Sequence, residues 1–324
     1  MDSKEIKRKL TSLKKVIKDK KKYKIRRLIE KIYITSLQFV FSLFPKKGVN
    51  IMREDWKYLI ILDACRYDTF KRNNTIPGDL QKKTSLGSGT REWLKENFKE
   101  YYEDLIYISA NPFASDHRVA GFKGSEHFFK VENVWSYGWD KEVGTVPPKN
   151  VTDAAIKMIK KYPEKRMIIH YMQPHGPWLG ENGLTAKDIN IENVGGEVNN
   201  FLPVVSYFWD EVKFGNMSIE VIKKAYEGNL KFVLKEVERL INHLDEKIVV
   251  TADHGTVFGK WGIYFHPRFI RIKDLIEIPW FVIKKGKRPS SKTDEKNQKN
   301  INDKEEKPNN EEEIKQRLAS LGYI

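Results

Sequence analysis

The chain has 324 residues, with 59 Lys/Arg against 44 Asp/Glu for a formal +15 at pH 7; 40% of its residues are hydrophobic and 12% aromatic. That apolar content suffices for one sizeable core and excludes a wholly disordered chain. A single cysteine, Cys65, excludes a disulfide scaffold and a Cys-rich zinc module and accords with a reducing compartment.

In chain order, the first feature is a basic arm over residues 1–50. Residues 1–31 hold 14 Lys/Arg and 4 Asp/Glu, a net +10, which leaves +5 for the rest of the chain. Ile6, Leu10, Leu13 and Ile17 follow helical spacing, and Ile25, Leu28, Ile29 and Ile32 resume it after a Lys-rich break. The apolar stretch from Ile32 to Phe44 is short of the roughly 20 residues a spanning helix needs. The following SLFPKKG offers no small-residue cleavage site. The arm therefore reads as an amphipathic element for an anionic membrane surface, with packing on a protein surface or binding to nucleic acid as alternatives. The expected location is cytoplasmic and peripheral on the membrane.

From Trp56 onward short apolar runs alternate with helical patterns. KYLIILD (57–63), DLIYISA (104–110), RMIIHYM (166–172), KIVVTAD (247–253) and IPWFVIK (278–284) read as strands; 90–99, 151–161 and 219–243 read as amphipathic helices. Near-continuous apolar strands separated by helices predict an α/β fold, a mainly parallel central sheet with helices on both faces. Residues 51–284 form the expected catalytic domain. Residues 285–311, with Ile301 as the one large apolar residue, read as a disordered charged linker. Residues 312–324 read as a helical tail whose Ile314, Leu318 and Leu321 dock back on the body.

Three predicted strands run into metal-competent side chains: Asp63 after the first, His175 after the third, and Asp253 with His254 after the fourth. Ligands of open parallel sheets bind beyond the carboxyl ends of the strands, so these residues point to one rim. His266, twelve residues past His254, is within reach of the same place. Each residue alone has an ordinary role as a turn former or a buried histidine; together they form a ligand set suited to zinc or manganese.

These strings resemble a known family. ILDACRYDTF resembles the opening D-x-x-R-x-D of the alkaline phosphatase superfamily, in particular its sulfatase-like branch. TADHG resembles that superfamily's second metal motif, PHGPW its PH-x-P segment, the HP at 266–267 its last histidine, and RLASLGYI the tail of sulfatase-like chains. The resemblance spans residues 56–284 and the tail. It implies an alkaline-phosphatase-like fold and a nucleophile at a helix N-terminus between the first two predicted strands, where TSLGSGTREWLKENF (84–98) lies. Thr90, in the N-cap region, is the preferred nucleophile and Ser88 the competitor. The implied cofactor is a divalent metal, one or two ions: zinc or manganese first, calcium as a third option. Asp63, Thr90, Asp253 and His254 would form one metal site, and His175 with His266 a second one or a phosphate contact.

Two departures from the family matter. The C/S-x-P-x-R motif that sulfatases mature to formylglycine is missing, since Cys65 is followed by RYDTF. Gln173 also stands near a position where two-metal members carry an aspartate. The pattern then resembles the one-metal phosphoglycerol and phosphoethanolamine transferases, and the expected activity is hydrolysis or transfer of phosphate esters, lipid- or glycan-linked. Arg91, Lys260 and Gln173 are the substrate-binding candidates, and Arg66 with Asp68 a structural pair. The alternatives are a sulfuric-ester hydrolase, or a non-catalytic basic protein at membranes or nucleic acid that keeps a degenerate site.

Overall fold

The computed structural model describes residues 25–116, 121–188, 204–284 and 311–322. The first half of the arm (residues 1–24) and most of the expected linker lie outside the described residues. The chain divides into two compact units, Met1–Pro45 and Lys46–Ile324. In the first, residues 25–42 form a helix, α1.

The second unit is built on a seven-stranded sheet. Its strands are β1 (Tyr58–Leu62), β2 (Asp79–Thr84), β3 (Tyr102–Ser109), β4 (Phe128–Glu132), β5 (Arg166–Tyr171), β6 (Ile248–Thr251) and β9 (Glu277–Ile283), in the order β2-β9-β6-β1-β5-β3-β4. A small hairpin, β7 (Val257–Phe258) with β8 (Tyr264–Phe265), stands apart from it. The central strands are parallel: β1 pairs β5 and β6, and β3 pairs β5 and β4. Every residue of β1 and β6 is buried, as expected of strands covered on both faces.

Two strands depart from the parallel reading. The IPWFVIK run is β9, antiparallel to β6. After β6 the chain stays at the carboxyl-end rim through the hairpin and the four-residue α8 (Lys273–Ile276), so it re-enters the sheet from the end it left. β2 pairs antiparallel with β9 and is largely exposed; its DLQKKT sequence carries no apolar run, which is why periodicity passes over it.

The helices are α2 (Tyr67–Asn73), α3 (Thr90–Asn97), α4 (Val134–Tyr137), α5 (Pro148–Lys161), α6 (Val204–Phe214), α7 (Ile219–Ile241) and α9 (Glu311–Ser320), with α8 above. Ser218 caps α7, its hydroxyl accepting from the Glu220 N–H. The second half of α7 buries Leu230, Val233, Val237 and Leu240 in the main core with the sheet and α5. Its first turns join a smaller cluster in which Trp178, Phe208 and Trp209 meet Ile222 and Tyr226. The tail docks as expected: Ile314, Leu318 and Leu321 are buried in the main core. Arg317 donates to the carbonyls of Trp135 and Ser136, satisfying the end of α4.

Candidate active site

The strand order places β6, β1 and β5 side by side, so the residues that leave their carboxyl ends meet at one rim. Asp63, Asp253 and His254 are all fully buried there. The turn after β1 is tight: Ala64 has φ +58, a strained conformation for a residue with a Cβ. It is held by the Tyr226 hydroxyl, which donates to the Ala64 carbonyl, and by the Ala64 N–H, which donates to Asp253 Oδ1 at 3.1 Å. Asp253 Oδ1 also accepts from the His254 N–H at 2.9 Å. The glycine of TADHG has a packing reason: a Cβ on Gly255 would lie 2.2 Å from the Asp274 carbonyl oxygen.

Thr90 is the first residue of α3, one position beyond the N-cap, which is Gly89 in an extended conformation. Its hydroxyl donates to Asp253 Oδ2 at 2.7 Å and lies 3.5 Å from His254 Nε2. Ser88 is engaged differently. Its hydroxyl donates to Glu92 Oε2 and accepts from the Ile270 N–H, and its own N–H donates to the same Glu92 carboxylate. Glu92 is three residues past the N-cap and reaches back as the acid of a capping box does, tying Ser88 into the helix start. Of the two hydroxyls, Thr90 is the one turned to Asp253.

Two residues that the sequence reading passed over complete the cluster. Asn111, after β3, donates from Nδ2 to Asp63 Oδ2 at 2.7 Å and sits 3.5 Å from the Thr90 hydroxyl oxygen. Its amide orientation is fixed because Oδ1 accepts from the Phe113 N–H. His170, within β5, places Nε2 3.5 Å from Asp63 Oδ2. Asp63, His170 and Asp253 each present a ligand atom within 4.8 Å of the others. A histidine inside an apolar strand reads as core, and only the register of β5 beside β1 shows that it faces Asp63.

The histidines are oriented by their outer nitrogens. His254 Nδ1 lies 2.7 Å from the Gly255 carbonyl and His170 Nδ1 lies 2.8 Å from the Tyr107 hydroxyl. A carbonyl only accepts, so His254 donates from Nδ1, and its Nε2 faces Asp63 and Asp253, 3.6 and 3.4 Å away. His170 Nε2 is buried without a hydrogen-bond partner. Two buried carboxylates beside two imidazole Nε2 atoms form a donor set that fits a divalent cation, and oxygen with nitrogen ligands suits zinc or manganese.

Electrostatics agree with that fit. Burial alone would raise the Asp63 carboxyl, but the contact with His170 and the nearby His175 and His254 hold it below the usual carboxylate range. Burial, and then the charge of Asp63, push Asp253 upward. Two carboxylates this close resist ionising together unless a cation lies between them.

His175 and His266 meet beside this cluster. Their Nε2 atoms are 3.0 Å apart, and the rings of His254 and His266 are 4.7 Å apart, centroid to centroid. The His175 loop is pinned by Asn229 of α7, which donates to the His175 carbonyl and accepts from the Leu179 N–H. His266 follows Phe265, whose φ is +67. Burial pushes both imidazoles below the ordinary histidine range, and the neighbouring His254 and His175 lower His266 further.

The three substrate-binding candidates fall in different places. Arg91 follows Thr90 and lays its guanidinium over the Phe113 ring at 4.2 Å. Gln173 is buried and donates to the Val146 carbonyl. Lys260 is turned to Asp274, which it meets at 2.8 Å beside Arg66, in a charged cavity of about 270 Å³. Arg66 and Asp68 form the expected pair, bidentate at 2.8 Å for each bond. Cys65 is fully buried and burial pushes its thiol well up, so it is no nucleophile.

No protein-family model matches the chain, and no curated protein matches it. Solved structures do. The soluble domain of lipooligosaccharide phosphoethanolamine transferase A from Neisseria meningitidis is 14% identical, with a TM-score of 0.48 over 70% of this chain and 75% of that one. The C-terminal periplasmic domain of EcEptC from Escherichia coli, a complex with Zn, is 12% identical with a TM-score of 0.45, over 74% and 76% of the two chains. Lipoteichoic acid synthase LtaP from Listeria monocytogenes is 12% identical with a TM-score of 0.41, over 72% and 66%. Against the integral membrane form of the Neisseria transferase, this chain spans 48% of the length.

Proposed function

We propose that this chain is a metal-dependent enzyme that hydrolyses or transfers phosphate esters through Thr90. The observation that carries the reading is the buried Thr90 hydroxyl, the first residue of α3, hydrogen-bonded to Asp253 among Asp63, His170 and His254. Asp63, Asp253 and His254 would hold a divalent cation, with His170 a fourth ligand in reach. Such an ion, when bound, supplies positive charge that lowers the hydroxyl pKa and offsets charge on the phosphoryl oxygens.

The remaining roles fall to the chain itself. The start of α3 favours an incoming phosphate through its dipole. The Thr90 oxygen attacks phosphorus in line as the bond to the leaving oxygen breaks, and the hydroxyl proton passes to Asp253, to which it is already directed. Asn111 Nδ2, 3.5 Å from the attacking oxygen, orients Asp63 and donates toward charge that develops there. His175 and His266 contact the non-bridging oxygens, and a solvent water gives the leaving alkoxide its proton. The phospho-threonine then passes its phosphoryl group to water or to an acceptor alcohol, with Arg91 contacting the anionic substrate.

The test is acid-quench trapping with zinc- or manganese-loaded protein and generic aryl phosphate mono- and diesters, read by peptide mass spectrometry. A phosphoryl adduct on the peptide containing Thr90 is expected. Thr90→Ala should lose both adduct and turnover by at least about 10³-fold, the order of losing a nucleophile. Ser88→Ala should keep turnover within a few-fold and cost about 1 kcal/mol of stability, as loss of a capping contact does. Unchanged turnover in Thr90→Ala would overturn the assignment. Faster release from sulfate esters than from phosphate esters would move the reading to sulfuric-ester hydrolysis.

A further inference from the structure

The described part of the N-terminal unit holds an apolar surface that its own fold does not cover. Along α1, Ile25, Leu28, Ile29, Ile32, Phe39 and Val40 recur at helical intervals and share one side of the helix, and Leu43 follows its end. All are exposed, with Leu28 at 58%, Ile29 at 61%, and Phe39 and Leu43 each at 67%. Arg26, Arg27, Lys31, Gln38 and Ser42 occupy the other sides, where Ile34, Leu37 and Phe41 are half-buried. From Ile25 to Val40 the stripe runs about 22 Å at the rise of an α-helix, interrupted by Ser36. An apolar face of this length on one helix marks an interaction site rather than scattered surface residues.

We propose that this face lies in the interface of an anionic lipid bilayer, parallel to the membrane plane. Charge complementarity selects that occupant. In sequence the stripe continues out of residues 1–31, whose net charge is +10. An amphipathic helix with basic residues on its polar sides and Leu, Ile and Phe on the other is the signature of an interfacial element. Among the described residues no helix is long and apolar enough to cross a membrane, which fits a helix that lies on the surface. A second copy of the chain would cover the same stripe but would set two strongly basic segments against each other.

The experiment is co-sedimentation of the full chain with phosphatidylcholine vesicles, with and without phosphatidylglycerol, at low and high salt. Binding to the anionic vesicles that salt weakens is expected. Ile29→Asp with Phe39→Asp should weaken binding by at least about 10-fold, because two apolar anchors become charged. Phe39→Trp keeps the apolar character, so its emission in excess of the parent, which shares the eight native tryptophans, should shift to the blue on adding anionic vesicles even if the Asp variants fold poorly. Thr90→Ala should bind as the parent does, which separates this inference from the proposed chemistry. Failure of the full chain to bind anionic vesicles would overturn the proposal. So would Phe39→Trp emission that vesicles leave unchanged, or an oligomer seen by ultracentrifugation that the Asp substitutions dissolve without any vesicle binding.

Discussion

At the scale of single residues, the site is a set of side chains whose outer contacts fix which atom faces inward. Tyr107 shows the principle most plainly: its hydroxyl meets His170 Nδ1 at 2.8 Å, behind the cluster. Outer partners of metal-ligating histidines typically carry 10- to 100-fold in metal affinity. Tyr107→Phe should therefore weaken metal binding by about that factor, measured by competition with a chromogenic chelator, while the fold remains intact by circular dichroism. Unchanged affinity would make the Tyr107 contact a packing feature only. Sequence reading named Asp63, His175, Asp253 and His254 because each follows a predicted strand, His266 because it lies twelve residues past His254, and Thr90 through the family resemblance at a helix start. It missed His170 and Asn111 for opposite reasons. His170 is hidden inside an apolar run, and Asn111 stands in a loop where asparagine is common. Lys260 was drawn in by its charge alone, and charge in a chain so rich in lysine says little about where a side chain turns.

At the scale of elements, the loops that carry the site are braced from behind. Arg66 ties the start of α2 to α8: it pairs with Asp68, reaches Asp274 at 2.6 Å, and donates to the Thr256 carbonyl two residues past His254. Burial alone would raise Asp274, but Lys260 and Arg66 hold it below its ordinary range. Its contribution is thus fully present above the unfolded carboxylate value of about 4 and is lost as pH falls through the lower folded value. Chemical denaturation of Asp274→Asn should show a stability gap from the parent at neutral pH that narrows on acidification. A gap independent of pH would refute the ionic brace. The sheet itself was legible where it is buried on both faces, because β1, β5, β6 and most of β3 are continuous apolar runs. β2, β4 and the small hairpin were not, because they are short, partly exposed, and held by neighbours that no local pattern names. The turned direction of β9 was equally silent in the sequence, being set by where the preceding connection leaves the chain.

At the scale of the molecule, two units carry two kinds of physics. The larger concentrates buried titratable groups at one rim of a parallel sheet. The smaller displays the exposed apolar stripe of α1. The account stands on the first of these: four candidate ligand residues gathered beside one hydroxyl. The most direct measurement is anomalous diffraction at the zinc absorption edge from crystals grown with zinc. The account predicts a peak bounded by Asp63, Asp253 and His254 at about 2.0–2.2 Å from their ligand atoms, with the Thr90 oxygen facing it, and no such peak in Asp253→Ala. A zinc-loaded crystal whose anomalous density lies away from these side chains would contradict it.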